Sequence, residues 1–206
     1  MTTKVQGDMY DIDGATVATV AAADKINFFD VTDSLVKEDT VQGVLDLVSA
    51  GFTASSLTAL TASSTSTITG VPAGTKVIFV SFEGIDLSSG SGVSGVRIGD
   101  SGGIETTGYL SSGTYLDSAT ATSDNTTLFM IDNSIGTAGD NRGSGVLTLM
   151  DSSTNLWAWS CTAKGRSANV VAAGGDKALS GALTQVQLLT TGGTFVTTGS
   201  WNILYI

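Results

Sequence analysis

Two strings in the middle of the chain carry residue types and spacings that belong to catalysis and cofactor binding. Gly99-Asp100-Ser101-Gly102-Gly103 is the setting of the nucleophile in trypsin-like proteases, a chemistry that needs a histidine to take the serine proton and a buried aspartate to orient it. Gly90, Gly92 and Gly95 spell G-x-G-x-x-G, the turn that lays a pyrophosphate on a helix N-terminus. Neither string has the company it needs. The chain has no histidine, which removes the usual general base at neutral pH and the commonest metal ligand. A Ser–Lys dyad would have to use Lys76 or Lys164, and nothing in the sequence brings either to Ser101. Gly95 runs into Val96-Arg97-Ile98, a strand pattern where a dinucleotide loop needs a helix. The expectation for Gly99–Gly103 is a turn, with Asp100 and Ser101 as its caps and Gly102 and Gly103 at positive φ.

Other candidates are weaker. Cys161, the single cysteine, lacks the same base and excludes an internal disulfide or a cysteine-paired zinc site. Asp8, Asp11 and Asp13 before Gly14 resemble a calcium loop, but with Gly14 as the sixth position Met9 is the first and Val20 the twelfth. The EF-hand pattern therefore fails, and a solvated acidic turn is expected. Glutamate occurs only at Glu38, Glu83 and Glu105. Of these, Glu83, at the end of an apolar run, is the first to test for a carboxylate pair. No cofactor and no metal are expected.

The elements that would position these residues read as β almost throughout. In Lys76 to Ile85, Ile78, Val80 and Phe82 alternate with Val77, Phe79 and Ser81, so both faces are apolar and the strand should be central and buried. Further strands are expected at Ser55–Leu60, Ser66–Thr69, Gly95–Ile98, Ile104–Tyr109, Thr126–Ile131, Gly145–Met150, Leu156–Lys164, Thr184–Thr190, Thr194–Thr197 and Trp201–Ile206. Turn clusters at 132–144 and 172–176 separate them, and Gly192-Gly193 reads as a tight hairpin. Trp157, Trp159, Cys161 and Ala163 share one face, as do Trp201, Ile203 and Tyr205. These are core candidates, a sugar-stacking platform being the alternative use of the tryptophans. Eight or more strands without intervening helices predict an all-β fold, an antiparallel β-sandwich of jelly-roll-like type.

The first 50 residues differ from the rest. They hold nine acidic residues against three lysines, while residues 51–206 hold ten against six. A docking segment is therefore expected at 1–50 and the sandwich domain at 51–206. Asp24 to Asp30 reads as a strand ended by the turn formers of 30–34. Then Val41, Val44, Leu45 and Val48 fall at helical spacing, with Asp39 or Thr40 as cap and Gly51 at the C-terminal end, which predicts one short helix at about 39–50. A narrow apolar stripe on three turns is marginal alone. It should dock, either on a partner or as a lid on the chain's own sheet.

Composition narrows the partners. A net charge of −10 is the wrong sign for a phosphate backbone, so no nucleic-acid partner is expected. No window reaches 18 unbroken apolar residues and Met1 opens onto a polar stretch, so neither a signal peptide nor a membrane span is expected.

Three segments resemble virion proteins of tailed bacteriophages. Asp24–Ser34 leading to Asp39–Leu47 resembles the N-terminal modules of fibre-like proteins. Arg97–Tyr109 resembles a strand-turn-strand of their β-sandwich domains, and Gly193–Phe195 through Trp201–Tyr205 resembles their closing hairpin. The resemblance covers roughly a third of the chain. It implies a non-enzymatic structural or attachment protein on the exposed virion surface, a capsid decoration (head fibre) or short tail-fibre component, commonly a homotrimer, bound to other virion proteins through the N-terminal segment. The alternative it leaves open is a receptor-binding module that recognises host glycan through 86–95, 111–121 and 132–144.

Overall fold

The structure, a computed structural model, describes residues 25–30, 35–40, 51–116, 121–137, 140–165 and 169–206. The chain divides into two compact units, Met1–Gly51 and Phe52–Ile206. In the first, β1 (Lys25–Asp30) and β2 (Leu35–Thr40) form an antiparallel hairpin in register Lys25↔Thr40 to Asp30↔Leu35. Strand β1 matches the sequence expectation. Asp39 and Thr40, read as a helix start, are instead the last two residues of β2. Residues 41–50, which hold Val41, Val44, Leu45 and Val48, lie outside the described residues.

The second unit is all-β, two antiparallel sheets with no helix among the described residues. Its strands are β3 (Thr53–Ala54), β4 (Thr58–Ala59), β5 (Thr65–Thr69), β6 (Val77–Ile85), β7 (Gly92–Asp100), β8 (Gly103–Ile104) and β9 (Leu110–Leu116). They continue as β10 (Ala121–Asn125), β11 (Phe129–Ile135), β12 (Asn141–Asp151), β13 (Leu156–Lys164), β14 (Val170–Ala178), β15 (Gln185–Thr190) and β16 (Ser200–Tyr205). The larger sheet runs β10-β9-β14-β13-β12-β6-β16-β3, with β4 also on β16; the smaller runs β11-β7-β15-β5, with β8 on β7.

Alternation explains the core. In β13, Trp157, Trp159, Cys161 and Ala163 point inward and are buried, as are Trp201 and Ile203 of β16. The smaller sheet answers with Val96, Ile98, Phe129, Ile131, Val186 and Leu188. Two indoles bond across the layers: Trp159 Nε1 donates to the Met130 carbonyl at 2.9 Å and Trp201 Nε1 to Ser66 Oγ at 2.8 Å. Each joins the larger sheet to an outer strand of the smaller one, β11 or β5.

Several expectations change. Strand β6 is central, between β12 and β16, but is buried on one face only: Ile78, Val80 and Phe82 are inside, while Ser81 and Glu83 are exposed. Phe79 on the outer face is met edge-on by Phe52, ring centroids 5.4 Å apart. The cluster at 172–176, expected as a turn, is the middle of β14, paired on both sides with β13 and β9. Gly192-Gly193 is no hairpin, because β15 and β16 lie in different sheets and the chain crosses between them. Gly192 instead packs against residues 91–92, where a side chain would meet the Ser91 carbonyl at 2.0 Å. The expected strand at 194–197 is reduced to one bridge, Leu87↔Phe195, and of Ile104–Tyr109 only Ile104 is in a strand, as the second residue of β8.

Candidate functional site

Of the residues singled out for chemistry, Asp100, Ser101 and Glu105 lie together at one end of the smaller sheet. Strand β7 ends at Asp100, whose Oδ1 accepts the Gly102 N–H at 2.7 Å and closes the turn into β8. Its Oδ2 accepts Ser180 Oγ at 2.8 Å and its carbonyl accepts Gln185 Nε2 at 2.7 Å. Gly103 carries the positive φ, +124°, and Gly102 does not. That corrects the expectation of two such glycines. Ser101 is exposed and its neighbour Asp100 is engaged elsewhere, so the string is a turn built around a capping aspartate.

Beside it lies an ion pair that sequence reasoning missed. Lys177 of β14 is buried, at 6% exposure, and its Nζ bonds Glu105 Oε2 and the Ala178 carbonyl, the latter at 2.6 Å. Glu105 Oε1 accepts the Ser180 N–H at 2.7 Å and lies 2.8 Å from Ser180 Oγ, whose single proton it shares with Asp100. Tyr109 completes the group. Its Oη donates to the Glu105 carbonyl at 2.9 Å and accepts the Ile98 N–H at 3.0 Å, and its ring lies under the Lys177 ammonium, 5.7 Å from the centroid. The cluster thus ties together the end of β7, the β8–β9 connection, β14 and the β14–β15 connection. Lys177 escaped notice because the alternation that would have placed it inside is broken by Gly174 and Gly175.

The electrostatics favour fixed charges over proton transfer. Hydrogen bonds from Ser180 and the Gly102 N–H hold Asp100 below its ordinary value. Partial burial would raise Glu105, but the Lys177 ammonium and the Ser180 hydrogen bonds outweigh it and hold the carboxyl below its ordinary value. A depressed carboxylate is a poorer proton acceptor, the wrong direction for a general base. Burial pushes Tyr109 up to about 12 and the Cys161 thiol up to about 12. Cys161 is thus a protonated core residue rather than a nucleophile.

The remaining candidates separate. Lys164 pairs with Asp140 at 3.6 Å and Lys76 is exposed just before β6, so neither dyad lysine belongs to this cluster. Glu83 lines a shallow depression of about 280 Å³ with Leu57, Ser81, Phe82, Ser200, Trp201 and Asn202, and is its only acid. A carboxylate pair is not assembled there. All three tryptophans are buried, so none forms a sugar-stacking platform. Of the expected recognition loops, 111–116 belongs to β9 and Ala121 to β10; 132–135 belongs to β11 and 141–144 to β12. A depression of about 500 Å³ lies over β9, β10 and β14 and is lined by Leu110, Ser111, Ser112, Asp124–Thr126 and Gly174–Gly175, with no ring and no cation. Among the described residues no group of three or more potential ligands could hold a metal ion. Asp8, Asp11 and Asp13 lie outside them.

The G-x-G-x-x-G glycines have a packing explanation. A Cβ on Gly92 would lie 2.4 Å from the Gly192 nitrogen, and one on Gly95 would lie 2.3 Å from the Phe129 carbonyl oxygen. Both residues are in β7, and what approaches them is the protein's own backbone.

Ser101→Ala is therefore expected to change stability by less than about 0.5 kcal/mol. Gly103→Val, forced to positive φ, should lose about 1–3 kcal/mol. Urea midpoints of the two variants check both.

Comparisons with protein-family models, with curated proteins and with solved structures give no match to this chain.

Proposed function

We propose that the protein is a non-enzymatic structural component of a tailed-phage virion, projecting from the particle surface as a capsid decoration (head fibre) or short tail-fibre component. The observation that carries this reading is that the chemistry-bearing residues have structural employment. The Gly99–Gly103 string is a turn, the glycine pattern is strand packing, Cys161 is core, and Glu105 is neutralised by Lys177. What is left for function is a surface, polar and acidic, as suits a particle exterior. The resemblance of 24–47, 97–109 and 193–205 to fibre-like proteins supplies the virion. In this reading the N-terminal unit docks on other virion proteins through Val41, Val44, Leu45 and Val48, and copies associate as homotrimers.

The jelly-roll-like description belongs to the same proposal. It is supported by repeated crossings between sheets, at β5–β6–β7, β10–β11–β12 and β14–β15–β16, although β12–β13–β14 stay together as a meander.

The test is incorporation. Purified particles grown with the full chain should contain it, and particles grown with a chain lacking residues 1–50 should not. Equal incorporation of both would remove the docking role, and absence of the full chain from particles would remove the virion reading.

A further inference from the structure

The sandwich ends in four sheet edges, and they are not alike. An exposed edge offers unpaired N–H and C=O groups to any other strand, and proteins blunt it with short strands, charges or bulges. Strand β10 carries the exposed carboxylate of Asp124, β3, β4 and β8 are two residues long, and the register of β11 shifts twice, at Met130/Asp132 and Asp132/Ile135. Strand β5 has none of these. It runs unbroken from Thr65↔Leu189 to Thr69↔Gln185 against β15, and its other side has no strand among the described residues.

The hydrogen-bond phase says which groups face out. Thr190 N–H donates to the Ser64 carbonyl, so the bonded pairs of this antiparallel ladder continue at Ser66 and Ile68. The main-chain groups of Thr65, Thr67 and Thr69 therefore point away from β15. Ser63 Oγ takes the Thr65 N–H at 3.2 Å; those of Thr67 and Thr69 have no acceptor among the described residues. Charge is equally specific. The chain carries −10, which opposes contact between copies. Yet Phe52 to Thr75 contains no charged residue, and neither does β15.

We propose that β5 is a self-pairing edge, at which two copies of this chain join their smaller sheets across a twofold axis through Thr67. Thr67 of one copy exchanges both main-chain hydrogen bonds with Thr67 of the other, and Thr65 faces Thr69. A contact of this isologous kind closes on itself and ends the exposed edge in one step. It is independent of the virion reading and adds to a threefold interface rather than replacing one.

The full chain in solution tests it. Light scattering should give an even multiple of 20.8 kDa; a monomer or a bare trimer at tens of micromolar overturns the proposal. Thr67→Cys should oxidise to a covalent dimer, since directly opposed Cα atoms about 5.5 Å apart are within disulfide reach. Thr65→Cys should link only when mixed with Thr69→Cys. The native thiol of Cys161 is buried and does not compete. Thr67→Pro removes an outward N–H and no main-chain bond to β15, only the exposed side-chain bond that Thr67 Oγ1 accepts from Gln187 Nε2 at 3.0 Å, so it should halve the mass while unfolding cooperatively as before. If that variant fails to fold, Thr67→Lys replaces an exposed side chain and should weaken association at least tenfold, with relief by salt. Either variant folding with an unchanged mass, or random cross-linking among the three cysteine variants, sinks the idea.

Discussion

Gly95→Ala is expected to destabilise the protein by about 3 kcal/mol, with a correspondingly lower urea midpoint. The added carbon would sit 2.3 Å from the Phe129 carbonyl oxygen and 2.5 Å from Leu128 Cδ1. The leucine can turn aside, but the carbonyl belongs to the β7–β11 ladder, where Phe129 pairs with Val96 and Met130 with Gly95. Relief requires the two strands to part, at the point where Phe129 stacks on Trp159 with ring centroids 5.9 Å apart. Gly74→Ala is the control. It has no atom within 4 Å of the new carbon, and it should leave stability unchanged or slightly raised. A phosphate-binding role for the glycines makes the opposite forecast, with ligand affinity lost at Gly95 and the unfolding midpoint retained.

This contrast shows where sequence was informative and where it was not. Strand β13 was legible from end to end, because Trp157, Trp159 and Cys161 alternate with small or polar residues and no glycine interrupts them. Strand β6 was legible in position but not in its one-sided burial, since Val77 and Phe79 look as apolar as the residues they alternate with. Strands β9 and β14 were not legible at all. Their inward positions include Gly113, Ala173 and Gly175, which are small because Met130 and the neighbouring backbone press on them: a Cβ at Gly113 would meet Met130 Sδ at 2.8 Å. Hydrophobic periodicity is blind to a face kept clear for a neighbour. The hairpin partner β2 was hidden differently, by the charges of Lys37, Glu38 and Asp39. For the candidate site, the turn at Asp100 was readable from its composition. Its bonds to Ser180 and Gln185, 80 and 85 residues on, depend on the crossing from β14 to β15.

Lys177→Met should cost about 3 kcal/mol, the low end for a buried ion pair that loses one partner. The side chains of Lys177 and Glu105 are 7% and 23% exposed, so Glu105 would be left with a charge that water only partly reaches. Methionine fills most of the lysine stem, which keeps packing loss small. Adding Glu105→Gln to Lys177→Met should restore at least half of the loss, because the remaining amide can still accept from Ser180. If the double variant is no more stable than the single, the lost methylene packing rather than the orphaned carboxylate explains the effect. The pH dependence gives a second reading of the same pair. The Glu105 carboxyl is held below its ordinary value of 4.5 in the folded chain, so the unfolded chain binds more protons as the pH falls past that value. The stability it contributes is complete above about pH 4.5 and is lost as the pH drops through the folded value. Glu105→Gln should therefore flatten the acid limb of the stability curve, leaving the shares of Asp100 and Asp151, which are also depressed. An acid limb identical to that of the parent would mean that Glu105 titrates alike in both states and that Lys177 holds it by shape alone.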